Sequence, residues 1–127
     1  MSQSRPTVNE LLEAVRKFIS DAASELSGQS RFNALSSAYV LAICERELRL
    51  GERHDASERE RWSHILGDEA DLASLRTKLC QRIRQGSFDQ DEERLLKALL
   101  DTAVDEVRIV KPDHLAPEHR SDSHPIR

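Results

Sequence analysis

The sequence predicts an all-α protein: a single-domain bundle of about five helices with short connections closed by glycine. Three observations predict this class. Apolar residues recur at helical spacing in each long segment, and no stretch shows the sustained alternation that strands require. Each glycine follows such an apolar run, where a left-handed residue commonly ends a helix. The four glycines are Gly28, Gly51, Gly67 and Gly86.

The first two helices carry most of the apolar residues of the N-terminal half. Thr7 followed by Glu10 forms the pattern of a capping box, so helix one is expected to begin there and to run towards Gly28. Helix two is expected from about Ser30 to Leu50, before Gly51. Its apolar residues occupy two faces, which is typical of a helix inside a bundle. One face holds Phe32, Leu35, Tyr39 and Ile43, and the other holds Val40, Leu41, Cys44 and Leu48.

Acidic residues mark the predicted starts of three further helices. The pairs are Asp55 with Glu58, Asp68 with Asp71, and Asp89 with Glu92. The first pair would open a short helix that carries Trp62, the single tryptophan. Because capping accounts for these acids, they need no general acid–base role. Asp105 and Glu106 are interpreted as a solvated helix surface.

The expected organisation is a short N-terminal lead at 1–6, a helical bundle at 7–111 and a mobile C-terminal tail at 112–127. Pro112 disfavours helix at the residue before it. The tail holds Pro117, Pro125 and three histidines, with few apolar residues to bury. His114, His119 and His124 lack a preorganised geometry for a metal, so a solvated tail is favoured.

Composition excludes several classes of function. The net charge of -4, without a basic run, disfavours a nucleic-acid partner. No apolar run approaches the length that crosses a bilayer, and no targeting segment is recognised, so a cytoplasmic protein without a membrane partner is expected. Cys44 and Cys80 lie outside any paired motif, and both are expected to be reduced thiols. Cys44 is expected to be buried, because its neighbours mark an apolar helix face.

No catalytic, cofactor or metal-binding residue is predicted. The glycines are isolated, which excludes phosphate-binding loops, and histidine and cysteine lack zinc-ligand spacing. The weak anion-site candidates are Arg31, Arg46, Arg49 and Arg53. They could gather into a pocket for a carboxylate or phosphate if the connection after helix two folds back. The favoured alternative is ion pairing with neighbouring acids.

The chain resembles an uncharacterised bacterial family of small helical proteins, a domain of unknown function. The residues that carry the resemblance lie between about Arg5 and Leu115. They are Pro6–Arg16, Leu41–Leu48 with Gly51, Leu66–Gly67, Asp71–Leu75, Ile83–Gly86 and Val110–Pro112. None is a catalytic motif. The resemblance implies genes beside those of acyl-CoA dehydrogenases and aminoglycoside-phosphotransferase-like kinases, and hence a partner enzyme.

Three hypotheses about function remain. The favoured one is a non-enzymatic accessory or protein-interaction module that forms a homo-oligomer, such as a homodimer, or binds a partner enzyme. The alternative is a small regulatory protein that binds an acyl-CoA or a phosphorylated metabolite through the arginine group. A stand-alone enzyme would need polar groups brought together in space, which no sequence spacing indicates.

Overall fold

The computed structural model describes residues 4–120, and it is about 80% helical without strands among those residues. The all-α, single-domain class is therefore confirmed. The helices are α1 (Val8–Ala23), α2 (Gly28–Leu66), α3 (Leu72–Arg84), α4 (Glu92–Val110) and α5 (Pro117–Arg120). A short 3-10 helix, Pro112–His114, precedes α5. The chain divides into two compact units, Met1–Gly51 and Glu52–Arg127.

The first unit is a hairpin of α1 and the N-terminal part of α2. As predicted, Thr7 caps α1, because its hydroxyl accepts a hydrogen bond from the amide of Glu10 at 3.2 Å. Arg16 of α1 forms an ion pair with Glu45 of α2. The apolar residues that this unit buries, among those described, are two alanines, Ala23 and Ala38. The hairpin therefore has little core of its own.

Helix α2 is continuous for 39 residues, and here the predicted boundaries are wrong. Gly51 does not end a helix but lies inside α2, where it is buried. A glycine in a helix interior costs only about 1 kcal/mol, which the flanking helix-forming residues offset. The predicted break at Gly51 and the predicted cap at Asp55 are therefore both absent, and Trp62 lies near the C-terminal end of α2.

The second unit contains the hydrophobic core. The C-terminal part of α2 packs there with α3 and α4, and Leu75 is completely buried. The core residues are Trp62, Leu66, Leu75, Leu79, Phe88, Leu95 and Ala98. Those within helices recur at three- and four-residue spacing, as expected for one buried stripe per helix.

The remaining glycines follow the prediction in part. Gly67 and Gly86 lie just beyond α2 and α3 with φ of 66° and 75°, a left-handed conformation that ends each helix. Gly28 instead opens α2, since α1 already ends at Ala23 with Ser24 as its C-cap.

One of the predicted acidic caps, Asp71, is confirmed. The side chain of Asp71 accepts a hydrogen bond from the amide of Ser74 at 2.9 Å, so it caps α3 as an acid at that position should. The predicted cap of the last helix is wrong by two residues: Asp91, and not Asp89, occupies the N-cap position of α4, and its side chain forms no capping hydrogen bond. The predicted tail differs in its first part, because Leu115 is buried and residues 117–120 are helical. Residues 121–127, including His124, lie outside the described part of the chain.

Candidate functional site

Large apolar side chains are exposed along the hairpin of the first unit. On α1 they are Val8, Leu11, Val15 and Phe18, which are 61%, 52%, 49% and 73% exposed. Their spacing of three, four and three residues is that of a coiled-coil seam. On α2, Val40 and Leu48 are more than half exposed, and Cys44 between them is also exposed. The hairpin thus leaves an unpacked apolar row on α1 and another on α2.

The two rows lie on the same side of the hairpin. The side of α1 that faces α2 is marked by Arg16 and Ala23. The side of α2 that faces α1 is marked by Ala38 and Glu45. Each residue turns the helix by 100°, so the position of the apolar row around each helix axis can be calculated. On both helices the centre of the row lies about 110° around the axis from the side that faces the other helix, and the rotation has the same sense on each. Since the helices are antiparallel, the same rotation about each axis leads to the same side.

We call this side the uncharged face. Its members on α1 are Val8, Leu11, Val15, Phe18 and Ala22, and on α2 they are Ser37, Val40, Cys44 and Leu48. The opposite side of α1 carries Glu10, Glu13, Lys17 and Asp21. Exposed apolar residues on that opposite side come from α2 alone and include Phe32, Leu35 and Tyr39. A surface without charge is unusual in a chain with 33% charged residues, and depletion of charge is typical of interface cores.

The second unit exposes a smaller apolar group on α4. Leu96, Leu99 and Leu100 are 60%, 38% and 49% exposed. They lie at three- and four-residue spacing and so share one helix face, but charged neighbours such as Lys97 and Asp101 form an ion pair beside them. This group covers about one helical turn, which is far less than the uncharged face of the hairpin.

A cluster of charges is buried between α2 and α4 in the second unit. Asp105 is only 3% exposed, and its carboxylate accepts hydrogen bonds from Arg61 at 2.7 Å and from Arg108 at 3.3 Å. Nε2 of His54 lies 3.9 Å from the same carboxylate. The interpretation of Asp105 as a solvated surface residue is therefore wrong. Arg61 and His54 of α2 lie against its carboxylate, although both are distant from it in the sequence.

Burial lowers the pKa of His54 below its usual value. Loss of hydration disfavours the imidazolium, and Arg108, Arg61 and Arg53 disfavour it further, while Asp105 opposes the shift. Nδ1 of His54 is buried and has no hydrogen-bond partner among the described residues. Both carboxylate oxygens of Asp105 are engaged by the protein's own cations, so the cluster acts as a structural connection between α2 and α4.

A second buried acid, Glu58, connects α2 to α3. Its carboxylate accepts two hydrogen bonds from Arg76, at 2.6 and 2.7 Å, and a third from Nε1 of Trp62 at 2.9 Å. Hydrogen bonding to Arg76 lowers the pKa of Glu58 most, and the bond from Trp62 adds to this effect. Spacing alone predicted that Glu58 is the second acid of a capping box that begins at Asp55. The partner Arg76, on a different helix, gave no local signal.

The predicted anion-site arginines all lie on α2. The connection that was expected to fold back after helix two is absent, since α2 continues to Leu66. Arg31 and Arg46 are separated by about four helical turns, on the order of 20 Å along the helix axis. The structure therefore does not bring Arg31 to Arg46. Arg53 lies beyond Gly51, in the second unit.

The remaining candidates form no assembled chemical site. Cys44 and Cys80 are free and exposed, so the expectation of a buried Cys44 is wrong. Among residues 4–120, no group of three or more metal-ligating side chains comes together, and His114 and His119 lie in the segment around α5. Within residues 4–120, every helix is either too short or too polar to span a lipid bilayer.

Surface depressions in the second unit are open to solvent. One of about 440 Å³ is lined by Glu60, Ser63, His64, Gly67, Asp68 and Glu69. Two of its acids, Asp68 and Glu69, follow the C-terminal end of α2, and Asp68 is paired with Lys78 at 2.8 Å. A depression of this kind lacks the enclosed apolar walls that bury a small ligand.

The fold and these surfaces define an all-helical protein with an unpacked apolar face and with buried ion pairs that connect its helices. The chain belongs to the family described as Domain of unknown function (DUF6285), which matches residues 24–114. This confirms the resemblance to a family of unknown function, although the match begins after α1. No curated protein and no solved structure matches the chain.

Proposed function

We propose that the protein is a non-enzymatic protein-interaction module of the cytoplasm, which acts through the uncharged face of the α1–α2 hairpin. The observation that carries this proposal is the set of six large apolar side chains on that face, each between 49% and 73% exposed. Extended exposed apolar patches commonly mark sites of association between proteins. The buried charged groups of the second unit, by contrast, are engaged with one another.

The chemistry of the face suits a helical protein partner. Val8, Leu11, Val15 and Phe18 follow the three–four spacing by which one helix packs against others. The candidates are a second copy of the chain or a partner enzyme, as the family resemblance suggests. The metabolite-binding alternative has less support, because its arginines are spread along α2 and the depressions are open.

Site-specific photo-crosslinking in the native host tests the proposal. A photoreactive phenylalanine analogue at position 18, on the uncharged face, is expected to form a covalent adduct with a polypeptide. The same analogue at position 32 provides a matched control, because Phe32 is similarly exposed on the opposite side of the hairpin. Absence of any adduct at position 18, or equal adducts at both positions, would contradict the proposal.

A further inference from the structure

We infer that the uncharged face is covered by a second copy of this chain, and that the two α1–α2 hairpins pack face to face as a four-helix bundle. This inference rests on the proposed function and names the partner for that face. It goes beyond a general interaction role because it specifies the residues at the interface and the symmetry of the assembly.

The α1–α2 hairpin lacks a well-packed core of its own. Its fully buried apolar residues among those described are Ala23 and Ala38. The large apolar residues between the two helices are only half-buried, and those of the uncharged face are exposed; the half-buried residues include Leu12, Ile19, Leu41 and Ile43. Two helices that bury so little apolar surface do not offset the conformational entropy of ordering them. The folded hairpin therefore needs another protein surface that packs on its uncharged face. A second copy of the chain can provide this surface, because it is present wherever the chain is made.

The uncharged face has enough accessible surface for a dimer interface. At roughly 100 Å² of accessible surface for each of the six large side chains, the face offers on the order of 600 Å² per chain, or on the order of 1,200 Å² for two copies. That is the lower end of the range for stable interfaces. Ala22, Ser37 and Cys44 lie between the large residues and add to it.

The uncharged face is complementary to a second copy of itself. A two-fold axis brings the same surface of each copy together, so any charge near the axis would meet its like charge. The members of the uncharged face carry none, and the exposed Glu47, beside Val40 on α2, lies at its outer edge. Repulsion between like charges is therefore removed from the centre of the face. Two of its residues on α2, Ser37 and Cys44, are small, whereas most of those on α1 are large, so that large and small side chains can interlock across the interface.

Ser37 is the one hydroxyl-bearing residue of the uncharged face, and it does not oppose burial there. The hydroxyl of a serine inside a helix can donate a hydrogen bond to the backbone carbonyl four residues earlier. Ser37 therefore needs no polar partner from the second copy. The face can be covered by apolar side chains alone.

The mass of the purified full-length chain in solution, measured by light scattering during size exclusion, tests the inference. We expect twice the chain mass of 14.5 kDa. Phe18→Glu places a charge on the uncharged face and should halve the mass. The matched variant Phe32→Glu should retain the dimer. A wild-type mass of 14.5 kDa at micromolar concentration overturns the inference, as does the same response to both substitutions.

Thiol alkylation of the unmodified chain gives a test that does not depend on whether Phe18→Glu folds. Cys44 lies on the uncharged face, and the exposed Cys80 on α3 serves as an internal control. In the dimer we expect Cys44 to react at least about tenfold more slowly than Cys80, and dilution below the dimer dissociation constant should remove the difference. Equal rates at high concentration, or protection of Cys44 in a chain of monomeric mass, overturn the inference.

The two proposals fail in different ways. A cross-link from position 18 to a different polypeptide, together with a monomeric mass for the purified chain, overturns the second copy but leaves the interaction module standing. A missing cross-link overturns the module itself.

Discussion

Arg61 of α2 donates a hydrogen bond of 2.7 Å to the buried carboxylate of Asp105 on α4. Arg61 also donates to the hydroxyl of Thr102 at 3.1 Å, so its guanidinium is held in place by two residues of the same helix. Because Asp105 is almost fully buried, removal of its charge leaves Arg61 and Arg108 without this counter-ion. The connection between α2 and α4 therefore depends on this carboxylate.

Asp105→Asn is expected to destabilise the protein by about 3 kcal/mol, because removing one partner of a buried pair leaves the other charge uncompensated. The free energy of unfolding in urea measures the change. Asp101→Asn, on the same helix, is the matched control, because it breaks a surface ion pair with Lys97 and should cost less than about 0.5 kcal/mol. Similar losses for both variants would contradict a special role for Asp105.

His54 should make the protein less stable as the pH falls below 6.5, the ordinary pKa of histidine. Its pKa is lowered in the folded state, so the unfolded chain binds a proton more readily and folding is penalised as the pH decreases. Above pH 6.5 His54 is neutral in both states and imposes no penalty on folding. The penalty grows as the pH falls from this value towards the folded pKa. Urea unfolding from slightly alkaline to mildly acidic pH measures the slope.

The variant His54→Gln should reduce that slope. His64→Gln, which changes an exposed histidine on the same helix, should leave it unchanged. If the slope is the same in wild type and His54→Gln, the pH dependence originates in other groups.

Glu58 should contribute to stability at neutral pH and cease to do so in acid. Its pKa is lowered from 4.5, so the ionised form stabilises the folded protein above that value, and the contribution is lost as the pH falls through the folded pKa. Glu58→Gln is expected to cost about 1–2 kcal/mol at neutral pH and little in strong acid. Fluorescence of Trp62, the single tryptophan, reports unfolding.

A suitable control for Glu58→Gln is Glu60→Gln, since Glu60 is exposed on the same helix. We expect its free energy of unfolding to stay within about 0.5 kcal/mol of wild type at both pH values. A cost for Glu58→Gln that persists unchanged in strong acid would show that the ion pair with Arg76 is not its origin.

Gly51→Ala should stabilise α2 by up to about 1 kcal/mol, since alanine is the better helix former and Gly51 lies within a continuous helix. The new Cβ would lie 2.7 Å from Oε1 of Glu47, the end of a flexible side chain that can move away. Gly86→Ala should destabilise, because Gly86 has φ of 75° and an added Cβ would lie 2.8 Å from Oδ2 of Asp89. Thermal unfolding of both variants measures the contrast. Destabilisation by Gly51→Ala would contradict a continuous α2 and would support a helix that ends at Gly51.

The sequence by itself determined the features that depend on neighbouring residues. These include the all-α class, the cap of α1 at Thr7, the cap of α3 at Asp71 and the helix ends at Gly67 and Gly86. Each follows from hydrogen bonds or backbone conformation within a few residues, which a linear pattern contains. The two apolar faces of helix two were also visible in the sequence.

Only the tertiary structure decided which polar residues are buried and where α2 ends. Glu58 and Asp105 look like a cap and a surface acid, because their partners Arg76 and Arg61 lie 18 and 44 residues away. Gly51 has the sequence context of a helix end, but its backbone continues α2. Local propensity is worth about 1 kcal/mol at such a position, and packing of the helices easily exceeds it. The exposure of the uncharged face likewise depends on which helices pack together, and no local pattern contains that information.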